Sequence, residues 1–266
     1  MNPRTNAAFH ADGAARAWGA AFRCIAGAEP GMRQHAGRDE THMIFTGSEA
    51  PSVNGVYSFA PTPSAEQIES LASLAAQTAG EFPRPVPWCI QVRSRPGESV
   101  LRTAARYGLT QQSWEPLMVR DLSTPPGIPG AAPDLRVRAI SGAESGRYAT
   151  AMGAGFQAPT EIFAALATPA VLDAPAITAY VGEADGEVVA TAMGIVTDGH
   201  VGVFNVSTVP AHRKRGYGRR LTEHVVAEGH RHGARTAYLR ASDMGLSLYT
   251  SLGFEVAEHW TYLTAP

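Results

Sequence analysis

The stretch VPAHRKRGYGRRL, residues 209–221, sets five cations around two closely spaced glycines. Arg213, Lys214 and Arg215 precede Gly216-Tyr217-Gly218, and Arg219 and Arg220 follow it. Alternating apolar residues lead in and an apolar stripe at helical spacing leads out, which reads as strand, turn and helix. Such a turn leaves backbone N–H groups unpaired at the helix N-terminus, where they and the helix dipole attract an anion. Glycine admits a ligand where a Cβ would block it. A diphosphate is the natural guest. The stretch has neither the Gly-x-x-x-x-Gly-Lys-Ser/Thr spacing of a nucleotide P-loop nor the Gly-x-Gly-x-x-Gly of a dinucleotide fold. Taken alone, Gly-x-Gly reads equally as a basic helix start on a solvated face.

The chain around this turn has 266 residues, comfortable for two domains of ordinary size. A hydrophobic fraction of 44% and a charged fraction of 17% are those of a globular protein. With a net charge of −2 no global field draws nucleic acid or an anionic membrane, so a basic site must be local. Cys24 and Cys89 match no zinc or redox spacing and read as structural thiols of a reducing compartment. No metal site is legible. The first 22 residues hold no uninterrupted apolar run, and Ile162 to Leu172 is broken by Pro169, so neither a signal peptide nor a membrane span is expected. A cytoplasmic enzyme or binding protein is the default. The Ala-, Gly- and Arg-rich usage with few lysines suggests a high-GC bacterial source.

Two halves flank a linker at STPPGIPGAAPD, residues 123–134, whose prolines and glycines continue neither helix nor strand. After it, 135–140 reads as a strand, and helices follow near 143–154 and 160–172. Strands at 176–183, 187–197 and 200–209 are joined by Asp185-Gly186 and Asp198-Gly199, both hairpin signals. A helix at 217–232 presents Leu221, Val225 and Gly229 on one stripe, and then come a strand at 236–242, a helix at 244–252 and a strand at 259–264. Before the linker, strands at 42–47 and 55–60 precede a helix at 64–79, opened by Ser64 and Gln67 in a capping pattern. A strand at 88–92, a helix at 98–108 and a strand at 113–119 complete that half. Its β–β–α–β–α–β order repeats the end of the second half. Helix ends ARYGL and TSLGF also correspond, which suggests a diverged duplication.

Two segments resemble the GNAT superfamily of CoA-dependent N-acetyltransferases. VSTVPAHRKRGYGRRLTEHVVAEG is similar to its Gln/Arg-x-x-Gly-x-Gly/Ala turn, with Arg213, Gly216 and Gly218 at the signature positions and Pro210 three residues ahead. SDMGLSLYTSLGF resembles the Asn-x-x-Ala-x-x-Leu-Tyr-x-x-x-Gly-Phe segment; Leu248, Tyr249, Gly253 and Phe254 match, while Ser242 and Gly245 replace Asn and Ala. The resemblance covers residues 135–264 and implies an α/β (α+β) fold, a mixed, mostly antiparallel sheet flanked by helices and splayed at the CoA site. It implies tandem GNAT-like domains: residues 1–122 degenerate, 123–134 the linker and 135–266 catalytic.

By that resemblance acetyl-CoA is the co-substrate. The amides of Arg215, Gly216, Tyr217, Gly218 and Arg219 would cradle its pyrophosphate, with Arg213 and Lys214 adding countercharge and Ser242 close by. Pantetheine would pair with Thr208 and Val209, and an N–H near Val206 or Ser207 would face the acetyl oxygen. Tyr249 stands where the family often places the acid for the departing thiolate. No carboxylate lies on the preceding strand; Asn205 or Ser207 could orient a water, and His200, Asp198, Glu161 or Glu115 could approach from loops. In the first half PTPSAEQ stands where the turn would be, with no glycine and no cation, so that half is expected to bind no CoA. Its Trp88, Trp114 and Tyr107 are expected in the core. The expected partner is a small-molecule amine (amino acid, metabolite or antibiotic-like), with no nucleic acid or membrane, and the chain a monomer or homodimer. Two alternatives stay open: a CoA-binding or sequestering protein without catalysis, and an acyltransferase using another acyl-CoA or an aminoacyl-tRNA.

Overall fold

The computed structural model describes residues 3–127 and 134–266, so the centre of the proline-rich stretch read as a linker lies outside the described residues. The chain divides into two compact units: unit 1 is Met1–Leu117 with Val256–Pro266, and unit 2 is Met118–Glu255. This division differs from the sequence boundaries in two respects: unit 2 begins at Met118, ahead of the stretch read as a linker, and the end of the chain changes unit. The last strand, assigned by sequence order to the second half, belongs to unit 1.

Unit 1 opens with a helix the sequence did not announce, α1 (Pro3–Ala28). Strands β1 (Arg33–Ala36), β2 (Thr41–Phe45) and β3 (Asn54–Ser58) follow, then helix α2 (Ala65–Glu81), β4 (Cys89–Arg93), α3 (Glu98–Arg106) and β5 (Gln111–Asp121), whose last residues pass into unit 2. The final strand, β11 (Glu255–Thr264), pairs antiparallel with β4 from Trp260↔Arg93 to Thr264↔Cys89. Strand neighbours run β1-β2-β3-β4-β11-β5. Alternation along β3 sends Val56 to one face and Tyr57 to the other. Val56 joins Ile68, Leu71 and Ala75 of α2 in one core. Tyr57 stacks on Phe59 and meets Phe22 of α1, and Trp18 meets Trp260, with centroids 5.6–6.2 Å apart.

Ser64 caps α2 as its pattern predicts, its hydroxyl accepting from Gln67 N–H. The Gln67 side chain turns instead to Arg38 N–H, so the capping is one-sided. Trp88 and Tyr107 meet edge to face with centroids 5.6 Å apart, and both, partly buried, pack against this core. Trp114 corrects the expectation: it is 44% exposed, with the Arg95 guanidinium over its ring at 5.8 Å.

Unit 2 contains β6 (Arg136–Ile140), α4 (Ser145–Phe156), the short helices α5 (Thr160–Ala164) and α6 (Pro169–Leu172), and then β7 (Ile177–Ala184), β8 (Glu187–Thr197) and β9 (His200–Thr208). Helix α7 (Tyr217–Arg231), β10 (Thr236–Arg240) and α8 (Asp243–Ser251) close it. The end of β5 continues the neighbour order as β5-β10-β9-β8-β7-β6. Both Asp-Gly pairs turn hairpins with positive φ at each residue, 52° and 82° at 185–186 and 49° and 72° at 198–199. Leu221, Val225 and Val226 of α7 pack on Val201 and Val203 of β9 and on Ala237 and Leu239 of β10. Gly229 lets α7 lie close on β9, since a Cβ there would stand 2.5 Å from Val201. On the other sheet face, fully buried Tyr148 of α4 donates to Ala192 O at 3.0 Å.

Candidate functional site

Strands β9 and β10 run parallel, but their ladder covers only Thr236↔His200, Ala237↔Val201 and Tyr238↔Gly202. From Val203 to Thr208 that edge of β9 has no partner strand, an open edge about 20 Å long at the usual rise of a strand. Its other edge stays zipped to β8 up to Ala190↔Thr208, with a register shift between Thr191 and Met193. Asn205 makes that bulge at φ +53°. The extra residue changes which side chains face α7: Val203 joins the core there, and beyond the bulge Val206 packs against the same core. Val209 N–H points to β8 and donates to Val189 O at 2.9 Å. Alternation back along the strand then puts the N–H groups of Thr208 and Val206 on the open edge.

The open edge runs into the glycine turn. A single turn of 3-10 helix, Pro210–His212, leads to Lys214 at φ +63° and Gly216 at φ +81°, and Gly216 occupies the N-cap position of α7 without a side-chain cap. None of the amides of Lys214 to Arg219 donates to an acceptor among the described residues. Gly218 closes the angle between turn and strand. A Cβ there would lie 3.6 Å from Leu248 Cδ2, 3.8 Å from Val206 Cγ1 and 3.9 Å from Thr208 Oγ1. These donors lie at a helix N-terminus, where backbone N–H groups and the helix dipole attract an anion.

The cations divide into two groups. Lys214 and Arg215 are exposed beside the turn, the Arg215 side chain also hydrogen-bonding the Tyr217 hydroxyl. Arg219 instead donates to Ser251 Oγ at 2.5 Å and pairs with Glu223. Arg213, expected as countercharge, uses three N–H donors inside the protein: on Thr208 O at 3.2 Å, Gln157 Oε1 at 2.9 Å and Gly155 O at 2.7 Å. It ties the end of β9 to the C-terminus of α4. Tyr217 also turns inward, buried and donating to Asp134 at 2.5 Å, so only its backbone joins the donors of the turn. That hydrogen bond, before any other cause, holds the Asp134 carboxyl below its ordinary range.

Tyr249 of α8 is buried, edge to face with Phe254 at 6.1 Å, and burial pushes its phenol up to about 12. At neutral pH it holds its proton and is available as a hydrogen-bond donor. Asn205 and Ser207, expected to orient a water, are engaged elsewhere. Thr191 Oγ1 donates to Asn205 O, so Ser207 must give its own proton to Thr191 Oγ1 at 2.8 Å. The Asn205 amide meets the Tyr148 hydroxyl and lies 3.8 Å from Met193 Sδ. Ser242 stands at the N-cap of α8 without a side-chain hydrogen bond.

His200 begins β9, about 20 Å of strand from Val206, with Nδ1 against Asp198 O. Asp198 lies in that same hairpin, Glu161 is exposed on α5, and Glu115 belongs to unit 1. Among the described residues no group of three or more His, Cys, Asp or Glu could hold a metal ion, and no helix is long and apolar enough to cross a membrane.

Residues 175–256 match the family model of the acetyltransferase (GNAT) domain. Unit 2 carries a GNAT acetyltransferase domain. The matched segment runs from just before β7 to the start of β11 and so includes the open edge, the glycine turn and Tyr249. Solved structures share the architecture over most of the chain. A GCN5-related N-acetyltransferase from Kribbella flavida has 18% identity and a TM-score of 0.63, with 93% of this chain and 95% of that one covered. A GNAT-family acetyltransferase structure from Novosphingobium aromaticivorans has 19% identity and a TM-score of 0.55 over 86% and 88% of the two chains. A GCN5-related N-acetyltransferase-like protein from Streptococcus suis has 11% identity and a TM-score of 0.53 over 85% and 84%. At such identities the likeness is one of fold. No curated protein sequence matches the chain at a significant level.

Proposed function

We propose that unit 2 is an acetyl-CoA-dependent N-acetyltransferase that passes the acetyl group directly to a small primary amine. The observation that carries this reading is the run of amides from Lys214 to Arg219, without an acceptor among the described residues, at the end of a strand edge left open by β10. In this reading the amides of Arg215 to Arg219 hold the pyrophosphate, with Lys214 and Arg215 as countercharge. Thr208, whose N–H faces the open edge, pairs with pantetheine as it would with an added strand, whereas Val209, also expected there, has its N–H committed to Val189 O. The Val206 N–H donates to the thioester oxygen and stabilises it as negative charge develops. The amine nitrogen bonds to the carbonyl carbon, the C–S bond breaks, and the surplus amine proton passes to water.

Tyr249 donates a hydrogen bond to the departing sulfur. Full proton transfer from a phenol at about 12 to a thiolate whose acid has an ordinary pKa of about 8.5 runs uphill, so the thiol's proton comes from solvent. Unit 1 has the same order of elements without the turn, and we assign it no CoA.

Thiol release from acetyl-CoA is expected only when an amine is added. CoA binding without release across an amine panel would make the protein a sequestering one, and release without amine would make it a hydrolase.

A further inference from the structure

Resting on the acetyltransferase reading, the identity of the acceptor can be narrowed. Phe156 is 45% exposed at the last position of α4, and its ring stacks on Phe163 of α5 with centroids 5.1 Å apart and planes 26° from parallel. Phe163 is partly buried, so the exposed face is that of Phe156, whose backbone flanks the end of the open edge. Its neighbour Gly155 lies so close to the end of β9 that a Cβ would stand 2.4 Å from Ser207 Oγ and 3.2 Å from Thr208 N. Arg213 fixes it from both sides, since Gly155 O and Gln157 Oε1 both accept from that guanidinium. Gln157 ends α4 at φ +56°, and Gly153 allows the close turn into α5. The backbone that carries the ring is therefore fixed, by the signature arginine, next to the strand end where the acceptor would arrive.

Charge on the same elements is sparse. Three carboxylates lie between Gly142 and Ala176: Glu144, Glu161 and Asp173. Glu144 is committed to Arg138 and Arg147, and Asp173 accepts from Gly142 N–H. Only Glu161, exposed on α5, has neither an ion-pair nor a hydrogen-bond partner. A polycation would find one carboxylate where it needs several. An apolar surface with one negative charge suits one positive charge on an apolar body. We infer that the acceptor is a monoamine carrying an aromatic ring, its ring seated on the Phe156–Phe163 pair.

The test uses the full chain with acetyl-CoA and three probes: phenethylamine, ethylamine and spermidine. Phenethylamine is expected to exceed ethylamine in kcat/KM by at least about tenfold. Phe156→Ala is expected to cut that ratio by about tenfold through KM, leaving the Kd for CoA unchanged by calorimetry. Phe163→Ala, from the other ring, should do the same, and melting curves of both variants verify folding. Phenethylamine binding in the presence of CoA is also followed by saturation-transfer NMR. Higher kcat/KM for ethylamine or spermidine, or an unchanged ratio in both variants, overturns the inference and leaves the acetyltransferase reading standing. Absence of turnover with every amine, while phenethylamine binds and Phe156→Ala abolishes binding, overturns that reading and keeps the aromatic docking surface. Absence of both overturns both.

Discussion

Each unit contains two parallel strands joined through a crossover helix, β3–α2–β4 in unit 1 and β9–α7–β10 in unit 2. The first is closed. Its ladder runs from Gly55↔Cys89 to Ser58↔Val92, the last residue of β3, and the strands approach so closely that a Cβ on Gly55 would lie 2.0 Å from Cys89 O. Its helix begins with Ser64 on the Gln67 amide. The second is open. Its ladder stops at Gly202, and its helix begins at Gly216 with no side-chain cap. Closing the ladder and capping the helix both satisfy backbone donors inside the protein. Leaving both undone keeps those donors for a ligand, at a cost in local stability. The same supersecondary unit thus serves as scaffold in one place and, under the proposed function, as binding site in the other.

The strongest way to break this comparison is to fill the open corner. Gly218→Val would put a branched side chain between Leu248, Val206 and Thr208, and CoA affinity by calorimetry is expected to fall about 100-fold or more. The wild-type chain should bind one CoA. A second site, or one that survives Gly218→Val, would show that the closed unit also binds. Next in size, Tyr249→Phe is expected to lower kcat about 100-fold while leaving the Kd for CoA within about twofold. An unchanged kcat would reduce Tyr249 to a packing residue against Phe254.

Unit 1 should reveal itself by stability. Ser64→Ala removes a cap and is expected to cost about 1 kcal/mol in denaturant unfolding without altering CoA affinity. A pH-dependent effect concerns His42. Burial first, and then the charge of Arg23 beside it, lower its pKa from 6.5 to about 4. Because the folded-state value is depressed, the associated stability is present above about pH 6.5 and is lost as the pH falls through about 4. His42→Asn should flatten that part of the stability profile, as read from melting temperature against pH. An unchanged acid limb would assign it to other groups.

Much of unit 2 was legible because its pattern is local. The Asp-Gly turns, the alternation of β8 and the Gly216–Gly218 turn are each written within a dozen residues. Helix α1 was not, because its buried face is built from Ala14, Trp18, Ala21, Phe22 and Ile25, mostly small residues whose periodicity is faint until aromatic partners from β3 and β11 cover them. The first residues of β11 fell outside its predicted range because they are largely exposed and carry little apolar signal. Within the site, Arg213 was read as a phosphate cation by its position in the signature. Its acceptors, Gly155 O and Gln157 Oε1, lie 58 and 56 residues away in sequence. Ser207 and Asn205 looked free for the same reason, since Thr191 and Tyr148 become their neighbours only through sheet and helix packing.

The sequence by itself determined that a glycine turn between the third hairpin strand and a helix would leave main-chain donors without helical partners, because glycine spacing, strand entry and helix start are properties of a short segment. Only the tertiary structure decided which side chains around that turn are left without a protein partner. Hydrogen-bond donors are finite, and whether a guanidinium or hydroxyl is spent on the protein depends on what distant segments bring beside it.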